Sequence, residues 1–215
     1  MPTDTHRLRI TFAKGDPIKY TSHLDLARVW ERSLRRAEVG LTYSGGFNPR
    51  PKLQLAAALP LGHTGEAELL DVWLEEPMPV EDFAKALVSV LPNGLMVSQV
   101  RHVRLEEPAL QTRVSAAEYR VTVEWDEPAE QVEARIERVL SATELPRERR
   151  GRRYDLRPLI ERLWLERAAG GEVVLGMQLA ARAGATARPE AVLEALGMGG
   201  AFARYHRRRL MVDVG

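Results

Sequence analysis

The chain contains no cysteine. This absence excludes disulfide bonds, thiolate zinc sites, a cysteine nucleophile and an iron–sulfur cluster held by thiolates of this chain. No hydrophobic run approaches the roughly 18 residues of a membrane-spanning helix, and no two histidines have the HxxxH or HExxH spacing of metal ligands. The sequence therefore predicts no metal, no cofactor and no membrane span. Its first residues lack a signal-peptide pattern, which favours a cytoplasmic location.

Lysine is also scarce, since only four of the 31 lysines and arginines are lysines. The formal net charge is +1, so the chain as a whole does not attract a polyanion. Any interaction with phosphate must therefore come from local clusters of arginine.

Hydrophobic periodicity predicts the secondary structure. Leu8, Ile10 and Phe12 alternate with Arg7 and Arg9, a pattern typical of a half-buried strand. A helix is predicted to begin at a Ser22–Asp25 capping box and to gather Leu26, Trp30 and Leu34 on one face. Four further strands and a second helix complete the first half. One of these strands is an extra short strand between the helices, beginning at Leu41 and Tyr43, and a similar succession follows in the second half.

The repeated order predicts an α+β protein with two tandem ferredoxin-like βαββαβ units and antiparallel sheets. The first domain is predicted to span residues 1–104 and the second residues 116–215. Residues 105–115 show no clear periodicity and are predicted to form the linker.

Arginines form a stripe on the first helix, beside its apolar face. One interpretation is phosphate contact, because guanidinium groups match phosphate oxygens. The alternative is a solvated helix face in which Glu31 and Arg35 pair. The stripe comprises Arg28, Arg32, Arg35 and Arg36.

The loop of residues 44–52 combines two glycines, two prolines, Phe47, Arg50 and Lys52. Phe47 is a candidate for stacking on a base, with the two cations holding phosphate. The alternative is an ordinary turn in which Phe47 caps the core.

A basic hairpin is predicted around Gly151, carrying Arg149, Arg150, Arg152 and Arg153. Exposed hairpins of this kind reach into nucleic acids, whereas a solvated turn is the alternative. His23 begins the first helix on its apolar side, which favours a core or capping role over acid–base catalysis.

Several stretches resemble the radical SAM-linked protein family, a domain of unknown function. They are residues 20–26, 32–37 and 44–52 in the first half, and residues 145–157 and 186–189 in the second. Arg50 departs from the histidine expected in that family, which argues against a catalytic role there. The resemblance implies a radical SAM enzyme as partner and an association with RNA processing, and it implies no catalytic residues.

The leading hypothesis is a non-catalytic accessory of a radical SAM enzyme that binds or presents RNA. A second hypothesis is a metal-independent endoribonuclease similar to CRISPR repeat-RNA processing enzymes, with His23 or Tyr20 as acid–base groups; it rests on analogy of fold. A third is a protein-docking module without nucleic-acid contact.

Overall fold

The computed structural model describes residues 6–213, which divide into two compact units. The first unit comprises residues 6–113 with Asp213, and the second comprises residues 114–212. No helix within these residues is long and apolar enough to cross a membrane.

The first unit has the predicted βαββαβ order of strands and helices. The extra short strand predicted at Leu41 and Tyr43 is wrong, because these two residues form isolated bridges, to Leu74 and Pro51, instead of a strand. Its sheet runs β2-β3-β1-β4 with every neighbouring pair antiparallel, which is the ferredoxin-like arrangement. The elements are β1 (His6–Lys14), α1 (His23–Arg36), β2 (Leu53–Leu55), β3 (Thr64–Leu74), α2 (Val80–Val88), β4 (Leu95–Val103) and the short α3 (Leu110–Arg113).

The core of the first unit lies between the sheet and its helices. Leu8, Ile10 and Phe12 of β1 are fully buried, and the Phe12 ring meets Trp30 of α1 edge-on with 4.8 Å between centroids. Packing of this apolar stripe, rather than helix propensity, stabilises α1 on the sheet and leaves its arginines facing outward.

The second unit repeats the arrangement, with sheet order β8-β9-β5-β11 and antiparallel pairs throughout. The prediction of two ferredoxin-like units is therefore confirmed. The elements are β5 (Val114–Glu124), α4 (Ala129–Ser141), β6 (Pro146–Arg149), β7 (Arg152–Asp155), β8 (Ile160–Ala169), β9 (Glu172–Arg182), β10 (Ala185–Thr186), α5 (Pro189–Ala195) and β11 (Ala203–Val212).

The connection from the first helix to the second strand is elaborated in both units. In the first unit it is residues 37–52, which include the glycine-rich loop. In the second unit it is residues 142–159, which include the two-stranded β6–β7 hairpin. The βαββαβ order needs neither elaboration, so both are additions to the shared fold.

Two details differ from the sequence-based expectation. Residues 105–115, predicted as linker, contain α3 and the start of β5, and Leu110 of α3 is fully buried. The half-buried interpretation of β1 is wrong, because Arg7 and Arg9 are only 3% exposed.

Asp71 of β3 explains the burial of both arginines. Its carboxylate accepts from Nε of Arg7 at 2.8 Å and from Nε of Arg9 at 2.7 Å. Arg7 also donates to the backbone carbonyl of Glu107 at 2.8 Å. The arginines thus bind a buried carboxylate and hold the segment before α3 against the sheet.

Candidate nucleic-acid interface

The first turn of α1 is capped as its sequence predicts. Ser22 Oγ accepts from the backbone N–H of Asp25 at 3.1 Å and donates to the Asp25 carboxylate at 2.7 Å. The hydrogen bond from the Ser22 hydroxyl, together with the Arg28 guanidinium 2.9 Å away, lowers the pKa of the Asp25 carboxyl. The cap fixes where the helix begins and therefore which side chains reach its outer face.

Lys14 helps to place this helix start and escaped the sequence-based prediction. It is 1% exposed, and its ammonium group donates to the carbonyl oxygens of Lys19 and Thr21, both at 3.0 Å. Because a buried ammonium needs such partners, the segment leading into α1 is held against β1. A lysine at the end of an alternating strand carries no sequence signal for this role.

The arginine stripe lies on the exposed face of α1, as predicted. Arg28, Arg32, Arg35 and Arg36 are all exposed. Arg28 forms an ion pair with Asp25 within its own helix. Within residues 6–213, Arg35 has no ion pair with Glu31 or any other carboxylate, so the pairing alternative does not account for it.

The glycine-rich loop is closed at its base and exposed at its tip. The backbone N–H of Ser44 donates to the carbonyl of Arg50 at 2.8 Å, and the N–H of Arg50 donates to Ser44 Oγ at 3.1 Å. Gly46 has a φ of 113°, a conformation that favours glycine. Phe47, at the tip, is fully exposed at 107%, so it does not cap the core.

The glycine-rich loop and helix α1 together form a single basic depression on the surface of the first unit. An open depression of about 520 Å³ is lined by Arg28, Glu31 and Arg35 of α1 and by Asn48, Pro49 and Arg50 of the loop. Two features that the sequence presented separately thus converge on one surface. We call it the α1–loop depression.

The remaining predicted cations of the first unit lie outside this lining. Arg32 and Arg36 are exposed elsewhere on α1. Lys52 places its ammonium 4.9 Å from the centre of the Trp73 ring, a cation–π geometry. Trp73 was not identified from the sequence, where it is hidden in the alternation of β3.

The basic hairpin of the second unit is confirmed as β6 and β7. Arg150 and Gly151 both have positive φ, at 52° and 74°, which is typical of a two-residue hairpin turn. Arg149 faces Arg152 across the strands, and Glu148 faces Arg153. Because side chains alternate along a strand, Arg149 and Arg152 lie on one face and Arg153 lies on the other.

The candidate acid–base groups flank the cap of α1. Tyr20 is 75% exposed, and the Lys19 ammonium lies 5.5 Å from the centre of its ring. His23 is half-buried at the first position of the helix. Within residues 6–213, no group of three or more His, Asp or Glu residues could hold a metal ion.

Solved structures share the fold at low sequence identity. A chain of a Cbf5–Nop10–Gar1 complex matches with a TM-score of 0.53 and 10% identity, over 97% of this chain and 50% of that chain. A chain of an H/ACA RNP bound to a substrate RNA containing 2′-deoxyuridine matches with a TM-score of 0.51 and 12% identity, over 97% of this chain and 49% of that one. The protein thus spans about half the length of these chains.

No curated protein matches the sequence. A family model does match, over residues 7–189, which include nearly all of the first unit and most of the second. The chain belongs to this family, DUF2344, which is described as an uncharacterized protein conserved in bacteria.

Proposed function

We propose that this protein is a non-catalytic, cytoplasmic RNA-binding accessory of a radical SAM enzyme. The observation that carries the RNA part is the α1–loop depression, where Arg28, Arg35 and Arg50 converge from two segments of the chain. The radical SAM part rests on the resemblance of residues 20–26, 32–37 and 44–52 to the radical SAM-linked family.

The chemistry of the depression suits a nucleic-acid backbone. Its three guanidinium groups each offer a planar fork of donors to phosphate oxygens. Glu31 also lines the depression, and its carboxylate offsets part of the positive charge of the three arginines. Phe47 projects from the same loop without burial, where an unpaired base could stack on its ring.

The fold is compatible with this proposal and does not by itself require it. One of the matched chains belongs to an H/ACA RNP bound to a substrate RNA. At 10–12% identity their likeness concerns the fold, so the proposal depends on the side chains of the depression.

A salt titration tests the proposal. Binding of a labelled single-stranded RNA is measured by fluorescence anisotropy at several salt concentrations, with the parent and with the triple variant Arg28→Gln, Arg35→Gln, Arg50→Gln. Each lost phosphate contact reduces the slope of log K against log salt by about 0.7. The triple variant should therefore bind more weakly, with a slope reduced by about two units.

A matched control removes the same charge from other exposed sites, at Arg101, Arg104 and Arg138. This control should keep the slope of the parent, and both triple variants should fold, since exposed substitutions change stability by about 0.5 kcal/mol or less. An unchanged slope in the first triple variant would contradict RNA binding at the depression. Binding of a radical SAM enzyme without nucleic acid would then favour the docking-module alternative.

The non-catalytic part has its own test. Labelled RNA incubated with the protein in EDTA should stay intact. Cleavage would support the endoribonuclease alternative, and loss of cleavage in His23→Ala or Tyr20→Phe would identify the acid–base group.

A further inference from the structure

A second cavity lies in the second unit, beside the β6–β7 hairpin. It has a volume of about 500 Å³, which is within the range of small-molecule sites, about 300–1,000 Å³. One wall is a single face of the hairpin, with Arg149, Arg152 and Tyr154. The turn at residues 184–186, between β9 and the start of α5, also lines the cavity.

Two arginines of the cavity lining have no ion-pair partner among residues 6–213. Arg149 and Arg152 are direct cross-strand partners, and like charges in such positions repel each other. Both are exposed, and within residues 6–213 neither has an ion pair. Arg147, further along the same face, differs because its guanidinium lies 4.0 Å from Glu194. An anion between Arg149 and Arg152 would relieve the repulsion.

The remaining lining suits an aromatic ring and its polar edge. Tyr154 and Leu159 supply apolar surface. Thr186 uses its hydroxyl hydrogen for the carbonyl of Arg182, at 3.1 Å, which leaves its oxygen as an acceptor. Asp155 is held in place, because its Oδ1 accepts from the backbone N–H groups of Leu145 and Arg157 at 2.7 and 3.0 Å. A cavity with two cations, an aromatic ring and fixed acceptors matches a nucleotide.

We propose that this cavity binds one unpaired nucleotide of the RNA. Arg149 and Arg152 hold its phosphate, and its base stacks on Tyr154. The inference rests on the proposed RNA-binding function and adds a site outside the α1–loop depression.

Direct titration of the full chain with the four ribonucleoside 5′-monophosphates tests the inference, with ribose 5-phosphate as the comparison without a base. At least one nucleotide should bind more tightly than ribose 5-phosphate. Tyr154→Ala should weaken that binding by about tenfold or more, whereas Tyr154→Phe keeps the ring and should retain most of it.

The hairpin offers a matched pair of charge variants. Arg152→Gln removes a cation from the cavity face, and Arg153→Gln removes one from the opposite face of the same strand. The first should weaken nucleotide binding and the second should not. Because Arg152 is exposed, its substitution keeps the test valid even if a Tyr154 variant destabilises the hairpin.

Failure of this inference is distinguishable from failure of the proposed function. The nucleotide site is wrong, whatever the RNA result, if no nucleotide binds to the parent protein. It is also wrong if the Tyr154→Ala and Arg152→Gln variants bind nucleotides as tightly as the parent does. If nucleotide binding follows the expected pattern while the triple variant at Arg28, Arg35 and Arg50 keeps the RNA salt slope, the cavity stands and the first interface is wrong.

Discussion

Replacing Phe47 by alanine separates base stacking from phosphate contact. The side chain is fully exposed at the tip of the loop, so the folded protein gains nothing from burying it. The loop is closed by hydrogen bonds of Ser44 and Arg50, which the substitution leaves in place. The free energy of unfolding should therefore change by about 0.5 kcal/mol or less.

The effect on RNA affinity should be much larger. Stacking of one base on an aromatic side chain contributes about 1–3 kcal/mol, which corresponds to a Kd raised roughly 5- to 150-fold. No charge is removed, so the slope of log K against log salt should stay that of the parent. The opposite pattern, a reduced slope, is expected for the arginine variants of the α1–loop depression.

The assay is anisotropy with single-stranded RNA, beside urea denaturation of each variant. Phe47→Tyr retains a ring and should bind as the parent does. Phe202→Ala, which removes another exposed ring in the second unit, is the control for a general loss of apolar surface. Unchanged RNA affinity in Phe47→Ala would refute the stacking role, and a large loss of stability would refute the claim that the ring is uninvolved in the fold.

Two further predictions concern the second unit. Gly176→Ala should destabilise the protein by about 1–3 kcal/mol in urea denaturation, because a Cβ at this position would overlap the indole ring of its cross-strand partner Trp164. Burial, with Glu190 and Glu194 nearby, raises the pKa of Tyr205 above its ordinary value of 10.0, so the unfolded chain loses this proton first as pH rises. The free energy of unfolding should consequently fall above about pH 10. Its fall between about pH 9 and about pH 11 should be smaller in the Tyr205→Phe variant, which has no phenol proton to lose. An equal fall in the parent and the variant would contradict the raised pKa of Tyr205.

The fold was predictable because its signals are local and periodic. Alternation in β1 and the helical stripe containing Trp30 identified elements whose order defines a ferredoxin-like unit. Which polar side chains are exposed to solvent was less predictable from the sequence. Arg7 and Arg9 occupy the alternating polar positions of a strand, yet both are buried on Asp71, which lies more than 60 residues away in sequence.

The sequence predicted several residues of the candidate sites, but it did not predict which of them lie together on one surface. Composition alone singled out Phe47 and Arg50 as unusual, and their exposure agrees with that interpretation. Which of the four helix arginines share a surface with Arg50 depends on the path of the loop beside α1, and of the four, Arg28 and Arg35 line the depression with it. Tyr154 was missed because a tyrosine at the end of a basic run is also typical of an ordinary strand.

The comparison of the two units connects both proposals. Both candidate sites lie on the same connection of the repeated fold, between the first helix and the second strand, although the two connections differ in sequence and structure. In each unit this connection carries an aromatic residue and arginines, Phe47 with Arg50 in one and Tyr154 with Arg149 and Arg152 in the other. The four-stranded order of each unit is complete without these two segments. Formation of the sheets therefore does not explain why the segments carry arginines beside an aromatic residue. The recurrence of exposed cations beside an aromatic ring favours a ligand of the same chemistry, phosphate joined to a base, at both connections.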